Sequence, residues 1–209
     1  MVSVVIPTFN RSDLLDACLT ALIETAPATE VLIVDEGLPF AEQCNLGFDR
    51  SSGELVVFLN DDTIPHVGWL EALTVAFEDP RVGMTGAKLL YPDGRIQHAG
   101  VYFDRPAGVL TAHNRTTDTP SRFVQAVTGA CMCVRRTAFA DVGGFDEGFV
   151  NGYEDVDLCL RFSELGWRIW YAANAVVTHH ESASGEARWT HVHENIARLQ
   201  EKHGSHHGS

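Results

Sequence analysis

Two adjacent carboxylates, Asp61 and Asp62, directly follow the apolar run "ELVVFLN" (54–60). Side by side they repel each other, and two roles suit the pair. A tight turn uses Asp to hydrogen-bond its own backbone. A hard divalent cation, Mn2+ or Mg2+, takes carboxylate oxygens, shares its shell with substrate phosphates and removes the repulsion. A second acidic cluster, "NGYEDVDLCLRF" (151–162), opens a helix, where acids complement the dipole. At helical spacing Asp155 shares a face with Leu158, Cys159, Phe162 and Leu165, and Glu154, Asp157, Arg161 and Glu164 share the other. Asp155 is therefore expected to look inward and the other acids to face solvent. An inward carboxylate at a helix start is a candidate general base for a hydroxyl. "VVTHHES" (176–182) puts His179 and His180 at a strand end, where side chains alternate between faces. A surface or hydrogen-bonded histidine is one reading; the other makes His179 an imidazole ligand, which suits Mn2+ better than Mg2+. Asp35 either caps the next helix or accepts a hydrogen bond from a base N–H. "HVH" (191–193) places its histidines at i and i+2, which do not share a helix face, so it is set aside as a metal site.

These residues need elements to hold them. "VSVVIP" (2–7), "EVLIVD" (30–35) and "ELVVFLN" are continuous apolar strands. Between and after them, three segments read as helices: "SDLLDACLTALIET" (12–25), capped by Ser12; "PFAEQCNLGFDRSSG" (39–53), with Pro39 in its first turn; and "GWLEALTVAFEDP" (68–80). Trp69, Leu73, Ala76 and Phe77 form one stripe of the third. This alternation predicts a parallel sheet covered on both faces, with ligands beyond the carboxyl ends of the strands. Thr8, Asp35, Asp61 and Asp62 all fall there. Further along, residues 82–103 read as two strands around "YPDG", 104–122 as a loop, and 123–136 and 167–180 as strands. Residues 153–166 read as a helix ended by Gly166, and 188–203 as a polar helix. The expectation is one α/β domain over 1–203, with a nucleotide half at about 1–80 and a mixed acceptor half at about 81–203. "GSHHGS" (204–209) reads as an artificial tail.

The chain has 209 residues and a formal net charge of −13. Such acidity argues against nucleic acid, which needs clustered Lys and Arg, and against a basic membrane-docking surface. A phosphorylated ligand would need local positive charge, which a divalent metal supplies. No apolar run approaches the ~20 residues of a membrane span, and the N-terminus lacks signal-peptide features. The five cysteines are scattered without a CxxC, as expected of reduced thiols in a cytoplasmic protein.

Seven blocks in order, "VSVVIPTFNR", "EVLIVD", "SGELVVFLNDDT", "GAKLLYPDGRIQHAG", "GACMCVRRTAFADVGGFDE", "YEDVDLCLR" and "VVTHHESAS", resemble a family 2 glycosyltransferase of GT-A fold. The variety is the one found among rhamnosyltransferase-like and O-antigen enzymes, and the resemblance covers roughly residues 2–185. It implies a Rossmann-like, mainly parallel sheet with a mixed acceptor-side half. It implies a UDP- or dTDP-sugar donor and an acceptor hydroxyl on a saccharide, a lipid-linked or another molecule, with inversion at the anomeric carbon. Thr8 and Asp35 would contact the base, and Asn10 would lie on the donor side. Asp62 would be the main aspartate metal ligand, Asp61 would sit near the ribose or sugar, and His179 would be the third protein contact to metal or diphosphate. Asp155 would be the base, with Glu154 on the acceptor side; Lys88, Gln97 and His98 would border the sugar or acceptor pocket. One departure stands out. Family members usually carry a loop, a helix and a strand after the Asp of the second strand, whereas "VDEGLPFAEQCNLGF" passes directly to the later helix. Two other readings stay open: a nucleotide-sugar-binding protein without turnover, and a sugar nucleotidyltransferase. The latter would show a Gly-rich basic loop after the first strand, which "PTFNR" is not.

Overall fold

The structure, a computed structural model, describes residues 1–9, 13–106, 109–180 and 190–204. Asn10 and Ser12 lie outside the described residues, as does most of the 204–209 tail.

Strands and helices alternate through the first half: β1 (Val2–Pro7), α1 (Asp13–Thr25), β2 (Glu30–Val34), α2 (Phe40–Arg50) and β3 (Leu55–Leu59). Pro39 is the residue before α2 and not part of its first turn. After β3 comes a short strand, β4 (Thr63–Pro65), then α3 (Trp69–Thr74). The chain tightens into a 3-10 turn at Val75–Glu78. At three residues per turn the expected stripe breaks: Trp69 and Leu73 are fully buried, while Ala76 and Phe77 are only half-buried.

The second half comprises β5 (Val82–Leu90), β6 (Ile96–His98), β7 (Val101–Asp104), β8 (Thr111–Asn114), β9 (Arg122–Val124), β10 (Cys131–Arg135), α4 (Arg136–Asp141), α5 (Glu154–Glu164), β11 (Arg168–His179) and α6 (Val192–His203). β8 falls in the stretch expected to be a loop; "TAHN" has no apolar alternation, and it pairs only with β7 in a small separate sheet.

The main sheet has the order β2-β1-β3-β10-β5-β11-β4. β1, β2, β3, β5 and β11 run the same way; β10 is antiparallel between β3 and β5, and β4 is antiparallel to β11. Both faces are covered. Val5, Phe58, Met84, Phe139, Leu158 and Phe162 pack on one side; Ile6, Leu15, Leu22, Leu59, Trp69 and Val177 pack on the other. That double burial explains why β1 and β3 read as unbroken apolar runs. α2 lies so close to β1 that a Cβ on Gly47 would stand 2.2 Å from a Val5 methyl. β2 is the outermost strand, and its Val31 and Ile33 are 41% and 37% exposed.

The expected division of α5 into an inward stripe and a solvated face fails. Asp157 is completely buried, Glu154 is buried, and Leu165 is exposed beyond the helix end, where Gly166 turns the chain with φ +83°. The reason is α6, which brings basic groups to the acidic side. Asp157 accepts from Arg161 at 2.8 Å and meets Lys202 Nζ at 2.6 Å and His203 Nε2 at 2.9 Å. All five cysteines are buried and unpaired, and burial pushes the Cys18 thiol up to about 11.

Candidate active site

Because five strands share a direction, their carboxyl ends make one rim of the sheet, and the residues singled out for chemistry gather there. Thr8, just past β1, is buried and its hydroxyl donates to Asp61 Oδ2 at 2.5 Å. Burial raises the pKa of Asp61; the Thr8 hydrogen bond opposes this, and the charges of Asp62 and Asp35 add to it. Asp35 follows β2 and is exposed. Asp62 is buried. The β4–β11 ladder pairs Thr63 with His179, and the His180 N–H donates to the Asp62 carbonyl at 3.0 Å. This zipper delivers His179 to Asp62: its Nε2 lies 3.1 Å from Asp62 Oδ1. The other ring nitrogen, Nδ1, lies 2.7 Å from Gln97 Oε1 on β6.

A carboxylate oxygen and an imidazole nitrogen at this spacing fit one divalent cation. Two donors held at right angles about 2.1 Å from an ion are themselves about 3 Å apart. Among the described residues no group of three or more His, Cys, Asp or Glu is arranged to hold a metal, so the fitting protein donors are Asp62 and His179.

A cavity opens at the start of α5, lined by Asn114, Thr128, Asn151, Tyr153, Asp155 and Asn195 among others. Asn151 (φ +50°) and Tyr153 (φ +71°) are left-handed without being glycine, a conformation that costs of order 1–3 kcal/mol and clusters at functional sites. Asp155 Oδ2 accepts from the Gly129 N–H and Oδ1 from the Val156 N–H, each at 2.8 Å, which fixes the carboxylate in the cavity wall. Glu154 is turned to its own loop, accepting from the Gly152 N–H at 2.5 Å. Asn195 of α6 clasps the loop before α5: it accepts from Val150 N at 3.1 Å and donates to Val150 O at 2.9 Å. Nothing in the polar stretch around Asn195 marks it, since its partner lies 45 residues upstream.

The cavity and the rim are neighbours. Ala130, next to Gly129, accepts from the Asn60 N–H at 3.0 Å, beside Asp61. Asn114, in the cavity wall, is 3.0 Å from His98 Nδ1. His98 is buried, and burial lowers its pKa to about 4, so its ring is neutral near pH 7. Lys88 is held by Asp118 at 2.7 Å rather than reaching for Asp61 or Asp62. Gln97 touches His179, not the cavity wall.

Residues 40–198 match the family described as Glycosyltransferase like family 2, and residues 3–39 match Glycosyl transferase family 2. The chain belongs to glycosyltransferase family 2. This glycosyltransferase domain is 32% identical to O-antigen biosynthesis protein RfbC of Myxococcus xanthus, over 89% of the chain and 18% of RfbC. It is also 32% identical to N-acetylglucosaminyl-diphospho-decaprenol L-rhamnosyltransferase of Mycobacterium tuberculosis, over 62% of the chain and 48% of that enzyme. The chain thus spans less than half the length of either. In structure it resembles GalNAc-T7, solved with UDP, GalNAc and Mn2+, at TM-score 0.74 and 16% identity, over 96% of the chain and 47% of GalNAc-T7; the likeness establishes the GT-A fold. The RfbC alignment runs over 226 positions while taking in 89% of this 209-residue chain, so about forty positions have no counterpart here. The two family matches meet between residues 39 and 40, in the direct connection from β2 to α2. That is where the sequence was expected to depart from the family pattern.

Proposed function

We propose that this glycosyltransferase domain moves a sugar from a UDP- or dTDP-sugar to a hydroxyl of a saccharide or lipid-linked acceptor, with inversion. The observation that carries the reading is the 3.1 Å approach of Asp62 Oδ1 and His179 Nε2 at the sheet rim, beside a cavity holding Asp155. Bound there, Mn2+ or Mg2+ would supply positive charge to neutralise a departing diphosphate in a chain whose net charge is −13. Asp62 and His179 would hold the ion, leaving the rest of its shell to phosphate oxygens and water. Thr8 and Asp61 form a rigid pair beside it for the nucleoside side, with exposed Asp35 next along the rim. Asp155, oriented by Gly129 and Val156, would take the proton of an acceptor hydroxyl as that oxygen attacks the anomeric carbon from the face opposite the leaving diphosphate. A single displacement needs no covalent intermediate on the protein.

The names of two relatives, an O-antigen biosynthesis protein and an N-acetylglucosaminyl-diphospho-decaprenol L-rhamnosyltransferase, support a saccharide or lipid-linked acceptor. A second reading, donor binding without turnover, is favoured by the roughly forty positions lacking a counterpart. Calorimetry with UDP and dTDP is expected to show binding with Mn2+, at least tenfold weaker binding with a chelator, and the chelator result in Asp62→Ala. Equal affinity in all three conditions would overturn the metal role. Release of nucleoside diphosphate that rises on adding acceptor separates transfer from binding alone.

A further inference from the structure

Gln97 stands 82 residues from His179 in sequence and is 7% exposed. Its carboxamide oxygen, 2.7 Å from His179 Nδ1, can only accept a hydrogen bond. Nδ1 must therefore carry the imidazole proton, which leaves Nε2 with a bare lone pair. That lone pair looks toward Asp62 Oδ1 at 3.1 Å, and the Asn60 amide nitrogen is at 3.4 Å. A lone pair and a carboxylate oxygen that close are mutually repulsive until a cation lies between them. The opposite tautomer would put a proton on Nε2 and close an ordinary hydrogen bond to Asp62, a pair with no use for a cation. One hydrogen bond to a neutral side chain decides between the two states.

We propose that Gln97 is a positioning residue: it fixes the Nδ1–H tautomer of His179 and so makes Nε2 the cation-facing nitrogen. The inference rests on the metal reading above, and it assigns β6 a task that the resemblance alone left at the edge of a sugar pocket. β6 is suited to it. The strand is hydrogen-bonded to β5, with His98 opposite Leu89, and His98 is itself anchored to Asn114. Gln97 is thus held from both sides of the chain. Partners that orient a metal-binding histidine are typically worth 10–100-fold in metal affinity.

The test has two independent readouts. Nitrogen-15 spectra of the metal-free protein are expected to show His179 as the Nδ1–H tautomer in the parent and in Gln97→Glu, whose carboxylate also accepts. In Gln97→Leu the signal should move toward the Nε2–H form. Titration with Mn2+ alone, followed by the electron paramagnetic resonance of the free ion, is expected to show affinity about 10–100-fold lower in Gln97→Leu. Gln97→Glu should stay within a few-fold of the parent, which separates tautomer control from loss of packing. An Nε2–H form in the parent, or equal Mn2+ affinity in Gln97→Leu, would overturn the proposal. A parent that takes up no Mn2+ would sink the metal reading instead, with the nitrogen-15 spectra still deciding the role of Gln97.

Discussion

Asp155 and Glu154 are adjacent acids with different attachments, and a pair of isosteric substitutions separates them. Asp155 faces the cavity with both oxygens held by backbone N–H groups; Glu154 closes its own loop. Asp155→Asn keeps shape and polarity but cannot take a proton, so sugar transfer should fall by about 10²–10⁴. Nucleotide affinity measured with Mn2+ should not change. Glu154→Gln retains an acceptor for Gly152 and should keep most of the transfer rate. If Glu154→Gln is inactive while Asp155→Asn is not, the base has been placed one residue too far. The inward direction of Asp155 was legible from helical period, because Leu158, Cys159 and Phe162 really do face the core. So was the meeting of His179 with the aspartates, because both end strands of a sheet whose ligand rim is set by strand direction. The grip of Gln97 on His179 and of Asn195 on Val150 left no trace in the sequence. An amide side chain follows no period, and its partner is chosen by the fold.

Among elements, α5 and α6 join through a polar network beside an apolar seam of Val156, Leu160 and Leu199. Asp157 is buried against Arg161, Lys202 and His203, and Asp146 binds both Arg198 and Lys202. Burial works against the charge on Asp157, but His203, Lys202 and Arg161 hold its pKa below the usual carboxylate value. A carboxylate lowered on folding stabilises the fold above its unfolded pKa of ~3.9 and loses that contribution as pH falls through the folded value. Thermal melts from pH 7 to pH 3 should therefore drop steeply below about pH 4, with amides of α6 exchanging first. Asp157→Asn removes a fully buried counter-charge from half-buried Arg161 and Lys202 and should cost at most about 3–5 kcal/mol at neutral pH, at most roughly 6–20 °C in Tm for a domain of this size. A variant melting within a degree or two of the parent would show that α6 is held by its apolar contacts alone. Helical period mislabelled this side of α5 as solvated, since it sees charge and not what the charge meets. β1 and β3 were legible because both faces are buried, and β2, exposed at Val31 and Ile33, was legible from its run of apolar β-branched residues alone. β4 and β8, three and four residues long, are too short to display any period.

For the molecule as a whole, the order and direction of its strands put the candidate machinery on one rim and leave β2 as an outer border. The reading of the family from its seven blocks was possible because their order carries the topology, even where each block is weak. The short passage from β2 to α2 was visible for the same reason. β2 itself is an edge strand whose outer side pairs with no described strand and which presents Val31 and Ile33 to water. Exposed strand edges recruit other strand edges. Here the guard is electrostatic: Glu30, Asp35 and Glu36 surround the strand, and a charge of −13 keeps copies apart near pH 7. The calculated isoelectric point is about 5.1, so mild acid removes the repulsion while the fold is still intact. Light scattering should climb as the pH approaches 5 and fall again on return to pH 7.5. Ile33→Lys, which places a cation on the edge itself, should suppress the scattering at pH 5 without moving Tm by more than a degree or two. Scattering that is unchanged in Ile33→Lys would move the sticky surface elsewhere. In colloidal terms, a sheet that ends on a half-exposed strand keeps its shelf life through net charge.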